Sequence, residues 1–339
     1  MNARRLTLLC LAALALAALP GCTAGQPAST PPAATAAPAT PPEAATEAAP
    51  TETSAPSAAA SFPLTLEDTL EREVTVSARP ARIVSLAPSN TEILFALGAG
   101  DQVVGVTEFC NYPPEAQSRE KVGGFAANTI SVEKIVALEP DLVFSAGEIH
   151  RPVIEALDQA GITVFALDAV DFDELYANIA AVGRLSGHAE EAATVVQAMQ
   201  DRMAAVAATT RAIPEEERPQ VFYELWHEPL TTAGPRTFVG QLIELAGGEN
   251  IFGDVSEDYP EISAEEIVER DPTVILGPST HADELAPEKL RARSGWEAIQ
   301  AVSEERIYLV DGDMVTRPGP RLVDALEGMA RSFHPLHFD

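Results

Sequence analysis

Ile130-Ser-Val-Glu-Lys-Ile-Val-Ala-Leu-Glu-Pro-Asp-Leu-Val-Phe-Ser145 decides the fold, because the chain repeats it as Ile262-Ser-Ala-Glu-Glu-Ile-Val-Glu-Arg-Asp-Pro-Thr-Val-Ile-Leu-Gly277. In each copy a serine, Ser131 or Ser263, is placed to cap a short helix. Glu133 and Glu265 follow in the first turn, where a carboxylate meets the positive end of the helix dipole. Pro140 and Pro272 then stop the helices. The apolar runs behind them, Leu142 to Ser145 and Val274 to Gly277, suit strands buried in a parallel sheet. The unit is helix, turn, buried strand, used twice.

The repetition extends outward in the same order. Phe95-Ala-Leu-Gly-Ala-Gly100 is echoed by Ile243-Glu-Leu-Ala-Gly-Gly248, each closing an apolar helical stretch with glycine where the chain must turn left-handed. Thr163 to Asp168 and Ile307 to Asp311 read as strands near the end of each half. The fold class that follows is α/β, with two similar lobes, each a mostly parallel sheet flanked by helices. Each lobe carries one exposed glutamate, Glu133 or Glu265, at the start of an equivalent helix.

Within the first lobe, alternation through Leu64 and Leu66 and through Val74 and Val76 predicts a small hairpin. Ile83 to Leu86 and Val103 to Val106 are buried strands. Ser89-Asn-Thr-Glu92 has capping-box spacing and is expected to open the helix that ends at Gly98 to Gly100. Between the lobes, Ala189, Ala192, Ala193, Val196, Met199, Met203 and Val206 follow helical spacing with no glycine or proline to interrupt them. One helix from about His188 to Thr210 runs roughly 30 Å, long enough to join the two lobes. Met199 and Met203 are read as its packing face. The second lobe begins after Pro214 to Pro219 with a strand at Val221 to Leu225.

Composition narrows the function. The 339 residues carry a net charge of −29, which argues against nucleic acid as a partner. Arg4 and Arg5 before the apolar run Leu6 to Ala18 read as a secretory signal, too short to span a membrane. Leu19-Pro-Gly-Cys22 resembles a bacterial lipobox, in which Cys22 is lipidated after residues 1–21 are removed; loss of two arginines takes the mature charge to −31. Residues 22–61, rich in Ala, Pro, Thr and Ser without aromatics, form a disordered tether. The folded part divides into a first lobe at 62–171, linking helices at 172–213 and a second lobe at 214–339. Cys110 is then the single remaining cysteine, read as a small buried hydrophobe.

A catalyst should leave a recognisable constellation, and the absence of the familiar ones removes the positive case for an enzyme without excluding one. The chain lacks a Gly-x-Ser-x-Gly elbow, a phosphate loop and a dinucleotide fingerprint. Its six histidines form no zinc-binding pair, so no metal site is assigned, and His334 and His337 are expected at the surface. Aromatics, only 6% of the chain, instead cluster beside turn residues at strand ends. Phe109 and Tyr112 precede Pro113, Phe125 follows Gly123 and Gly124, Trp226 and His227 precede Pro229, and Tyr259 precedes Pro260. Ligands of open α/β sheets bind beyond the carboxyl ends of strands, so these loops predict a cleft for a large planar or greasy ligand. Asp313 and Arg317, after the last strand, can offer an acceptor and a guanidinium to a polar ligand edge.

Arg82-Ile-Val-Ser-Leu-Ala-Pro-Ser-Asn-Thr-Glu-Ile-Leu-Phe-Ala-Leu-Gly98, Val104 to Pro114, Glu133 to Val143, Ala246-Gly-Gly-Glu-Asn-Ile-Phe252 and the Asp313 to Arg321 loop resemble the helical-backbone substrate-binding proteins of ATP-driven importers. Within that group the pattern looks most like the vitamin B12 (cobalamin) binders, with ferric siderophore and haem binders sharing much of it. The resemblance covers residue 80 to the end. It implies two lobes joined by one long backbone helix, a ligand between them and no enzymatic activity. Corrin-facing aromatics fall on Phe109, Phe125 and Tyr259, polar contacts on Asp313 and Arg317, and a first-lobe contact on Pro88 and Ser89. A tryptophan of the B12 binders aligns with Ala146, a gap that Trp226 can fill from the other lobe; His227 is a suitable imidazole for a corrin cobalt. Glu133 and Glu265 match glutamates that meet arginines on a permease dimer, itself driven by ATPase subunits. Cobalamin is in this reading a transported ligand and not a cofactor. The protein is then a monomer, extracytoplasmic and held at the membrane by its lipid.

Overall fold

The computed structural model describes residues 61–338. The expected signal segment, Cys22 and all but the last residue of the tether lie outside them. Strand β1 (Leu64–Glu67) pairs antiparallel with β2 (Glu73–Val76), Leu64 opposite Val76. Its turn covers the edge of the first sheet: the Asp68 carboxylate, fully buried, accepts from the Ala166 amide at 3.1 Å, and the Thr69 amide donates to the Ala166 carbonyl. An edge closed this way has no free ladder for another chain to pair with.

The first sheet contains β3 (Ile83–Ser85), β4 (Val103–Val106), β5 (Glu120–Lys121), β6 (Leu142–Ala146) and β7 (Val164–Leu167) in the order β5-β4-β3-β6-β7, every pair parallel. Helices α1 (Pro88–Ala96), α2 (Val132–Ala137) and α3 (Arg151–Gln159) pack on it. Then come α4 (Phe172–Ser186) and α5 (Ala189–Thr210). The second sheet, of β8 (Gln220–Tyr223), β9 (Glu249–Asn250), β10 (Val274–Pro278) and β11 (Ile307–Val310), is also parallel throughout, in the order β11-β10-β8-β9. It is flanked by α6 (Phe238–Leu245), α7 (Ala264–Arg270), α8 (Pro287–Ala292), α9 (Gln300–Ser303), α10 (Gly312–Thr316) and α11 (Leu322–Phe333).

The two copies of the repeated unit fold alike. Ser131 Oγ accepts from the Lys134 amide at 3.3 Å, and Ser263 forms a full capping box with Glu266. Each helix is followed by a non-glycine residue at positive φ, Glu139 at 46° and Asp271 at 42°, directly before its proline. The proline disfavours a right-handed helical residue in front of it and so turns the chain toward the strand. Gly98 and Gly247, at φ of 76° and 81°, are the left-handed glycines expected after the other pair of helices.

Helix α5 is 22 residues long, about 33 Å at 1.5 Å per residue. Of its four buried residues, Ala192, Met199 and Val206 recur every seven positions, a narrow seam laid on the rest of the molecule, and Thr210 closes the last turn. Against α4 the approach is so close that a Cβ on Gly183 would lie 2.4 Å from the Ala192 methyl. Toward the second lobe, Arg202 reaches Asp324 at 2.6 Å and Glu327 at 2.8 Å on α11. One apolar cluster runs from Ile83, Phe144 and Phe165 of the first lobe through Met199 to Tyr223 and Leu326 of the second. Separate clusters back each sheet on its far side. A core continuous across both lobes ties their relative position to side-chain packing.

Two local expectations are corrected. Helix α1 starts at Pro88, with Ala87 at its N-cap and no side-chain cap; Ser89 lies inside the first turn. Proline has no amide to satisfy and a φ already suited to that position, so no capping box is needed. Glu92 is turned into the protein instead. His334 is not at the surface: it is 5% exposed, with Nε2 3.1 Å from the Gly247 carbonyl, because α11 ends against the loop after α6.

Candidate functional site

Because every strand of both sheets is parallel, the loops leaving their carboxyl ends gather on one side of each lobe, and the lobes meet there. At one end, the Gln241 amide donates to the Val170 carbonyl at 2.7 Å. Beside this bond Ala169 and Val170 of the first lobe and Arg236, Asp258 and Tyr259 of the second line a recess of about 520 Å³. At the other end Arg317 approaches the Phe109 carbonyl at 3.4 Å.

Nine large apolar side chains are exposed among the described residues, and six of them stand on these loops. Phe109 (56%) and Tyr112 follow β4, Ile149 follows β6, Val170 follows β7, Trp226 (53%) follows β8, and Tyr259 (52%) lies between β9 and α7. Apolar area left in water on converging loops is what a ligand or a partner covers. Pro88 and Ser89, half-buried, sit at the end of β3 in the same set of loops. Tyr259 keeps its phenol above the ordinary value through partial burial and the neighbouring Asp258 charge.

Phe125 is held from behind by His150. The His150 ring is fully buried, 5.2 Å from the Phe125 ring. Its Nδ1 accepts from the Ala146 amide at 3.0 Å, which leaves the proton on Nε2 to be donated to the Phe125 carbonyl at 2.7 Å. Burial lowers the His150 pKa, so the neutral ring needed for this bridge is the favoured form.

The polar end of the site differs from a loop that merely offers groups to a ligand. Arg317 donates to Asn111 Oδ1 at 2.6 Å and to Glu92 Oε1 at 3.2 Å, and pairs with Asp313 at 2.7 Å. Asn111 in turn donates to Asp313 at 2.9 Å. Arg321 grips both oxygens of Glu92, at 2.7 and 2.8 Å, and lies 4.0 Å over the Tyr112 ring. Glu92 is 2% exposed and both guanidinium groups 13%. A buried carboxylate of one lobe thus bridges two arginines of the other and clamps the lobes together, with Asp313 balancing the second positive charge. Asp313, 44% exposed, still faces water, as do Asn111 and Tyr112 beside it. Sequence reasoning missed Glu92, Asn111, Arg321 and His150: their partners stand far away in the chain, and Glu92 carried the pattern of a helix cap.

On the second lobe Trp226 packs edge-on against His281, 4.8 Å between ring centres, and its indole donates to the Glu228 carbonyl. His227, half exposed, stands 3.7 Å from buried Glu224, whose carboxylate is already held by Arg293 at 2.5 and 2.9 Å. Among the described residues no three His, Cys, Asp or Glu side chains group as metal ligands. Cys110 is fully buried, 3.1 Å from the Thr91 and Thr107 hydroxyls. Ala146 leaves open the position where the resemblance expected a tryptophan, and Trp226 comes from a different strand end. Glu133 and Glu265 are exposed on α2 and α7, the two copies of the repeated unit.

Residues 83–314 match the family described as periplasmic binding protein. The chain is 36% identical over 282 residues to an ABC transporter substrate-binding lipoprotein of Bacillus subtilis, covering 82% of this chain and 87% of that one. It is 37% identical over 283 residues to a cobalamin-binding protein of Halobacterium salinarum, 81% of this chain and 75% of that one. Among solved structures, a periplasmic heme-binding protein of Roseiflexus in apo form superposes with a TM-score of 0.66 at 27% identity, over 75% of this chain and 98% of that one.

Proposed function

The chain belongs to the periplasmic binding protein family, and from that premise we propose that it captures a corrinoid between its lobes and delivers it to the permease dimer of an ABC importer. The observation that carries this reading is the set of exposed aromatic and aliphatic side chains on strand-end loops of both lobes. A corrin is a wide, mostly apolar disc fringed with amides. Phe109, Phe125, Trp226 and Tyr259 suit its faces and edges, while Ser89, Asp313 and the backbone around Pro88 suit the amide fringe. Arg317, on the same loop as Asp313, ties that loop to Glu92 and Asn111 of the first lobe, and His227 is an imidazole within the same group of loops. The cobalamin-binding relative supports the corrinoid, and the lipoprotein relative supports an anchor at Cys22. Glu133 and Glu265, equivalent on two equivalent lobes, suit a partner built on a two-fold axis.

The shared core and the Glu92 clamp favour a small change of lobe angle on binding over wide closure. The test is calorimetric titration of the protein with cyanocobalamin, and in parallel with haem and a ferric hydroxamate siderophore. One-to-one saturable binding of the corrinoid alone is expected. Binding of an iron chelate with no heat from cyanocobalamin would replace the corrinoid and leave the importer role standing.

A further inference from the structure

Of the three exposed apolar side chains not on strand-end loops, Leu309 and Leu336 lie outside the repeated unit and Val136 lies within it. Val136 lies three residues after Glu133 on α2, one helical turn away and on the same face. Its counterpart on α7 is Val268, three residues after Glu265. Val268 lines a recess of about 670 Å³ together with Ala264, Leu230, the buried Trp296 and His227, which reaches it from the loop after β8. Glu265 and Glu269 stand on its rim. The one guanidinium at this recess, Arg293, is already neutralised by both oxygens of Glu224, so the rim carries net negative charge.

We infer that each lobe docks through a pair, a carboxylate and a valine one turn later, and that the recess under Val268 receives a large apolar side chain from the permease. The matching partner is an extracytoplasmic permease loop with a basic residue beside an aliphatic or aromatic one. This rests on the reading that Glu133 and Glu265 meet a permease dimer. Two identical permease loops then meet unlike surfaces: an open valine on the first lobe and a recess on the second. The apolar side chain buries more area at Val268 than at Val136, so the second lobe holds the greater share of the affinity.

The test is the affinity of the ligand-free, full-length chain for its permease with ATPase subunits in lipid nanodiscs, at low and high salt. Variants are Glu265→Gln, Val268→Asp, Val136→Asp and Ser294→Tyr. The last places a ring over the mouth of the recess from an exposed position and leaves the core untouched. Expected are a loss of roughly ten-fold for Val268→Asp and Ser294→Tyr that persists at high salt, a smaller one for Val136→Asp, and a Glu265→Gln loss that shrinks as salt screens it. If Glu265→Gln weakens docking while Ser294→Tyr and Val268→Asp stay within about two-fold, the recess is not part of the interface and this inference falls, with carboxylate docking intact. If no variant changes the affinity, docking at these helices itself falls.

Discussion

Glu92→Gln removes one charge and no volume from the junction of the lobes. In the native protein the Glu92 carboxylate accepts three guanidinium hydrogen bonds, two from Arg321 and one from Arg317, at 2.7 to 3.2 Å. The amide of the variant keeps a single acceptor and turns a donor toward an arginine. Arg317 still has Asp313 at 2.7 Å, but the nearest acid left to Arg321 is Asp311 at 3.8 Å. Breaking a buried ion pair by removing one partner costs about 3–5 kcal/mol. The remaining Asp313 contact argues for the lower end, about 3 kcal/mol. At about 2–4 °C per kcal/mol for a chain of this size, the melting temperature should fall by roughly 6–12 °C. Thermal unfolding followed by circular dichroism or calorimetry measures it. Asp258→Asn is the control, since Arg236 and Asp258 are both more than half exposed and their pair is worth about 0–1 kcal/mol. Equal melting temperatures for Glu92→Gln and that control would refute the clamp as a source of stability.

Phe109→Ala and Tyr259→Ala should each weaken cyanocobalamin binding by about ten- to one-hundred-fold, by calorimetry, with little change in melting temperature because both rings are half exposed. The folded His150 pKa lies below its unfolded value, so its contribution to stability is complete above the unfolded pKa and is lost as pH falls below it. Melting temperature should therefore drop between about pH 7 and pH 5. His150→Gln should flatten part of that slope; buried His334, shifted the same way, contributes as well. An unchanged slope in the variant would remove His150 from the account. Gly183→Ala places a methyl 2.4 Å from Ala192, which α4 and α5 can relieve only by moving apart. A loss of about 1–3 kcal/mol in denaturant unfolding is expected.

The repeated unit was readable because its signals are local. Ser131 and Ser263, the turn before Pro140 and Pro272, and the apolar runs behind them each act within a few residues, and the strands and helices stand where those signals put them. The same holds for α5, whose spacing is uninterrupted over 22 residues. Ser89 was misread for the same reason that Ser131 was read correctly: capping-box spacing is a local pattern, and only Pro88 at the first helical position and distant arginines decide what Glu92 does. His334 looked like a tail residue until α11 carried it back to Gly247.

The sequence by itself determined two parallel α/β lobes, the long helix between them, the membership of the importer family through its motifs, and the loops on which aromatic side chains would stand. Periodicity, caps and prolines specify these through neighbours in the chain. Tertiary structure alone decided that Arg317 and Arg321 close on Glu92 across more than two hundred residues, that His150 steadies Phe125, and that Val268 borders a recess while Val136 lies open. Those outcomes depend on which charges are desolvated together and which surfaces are brought face to face, and a buried charge selects its partner by distance in space.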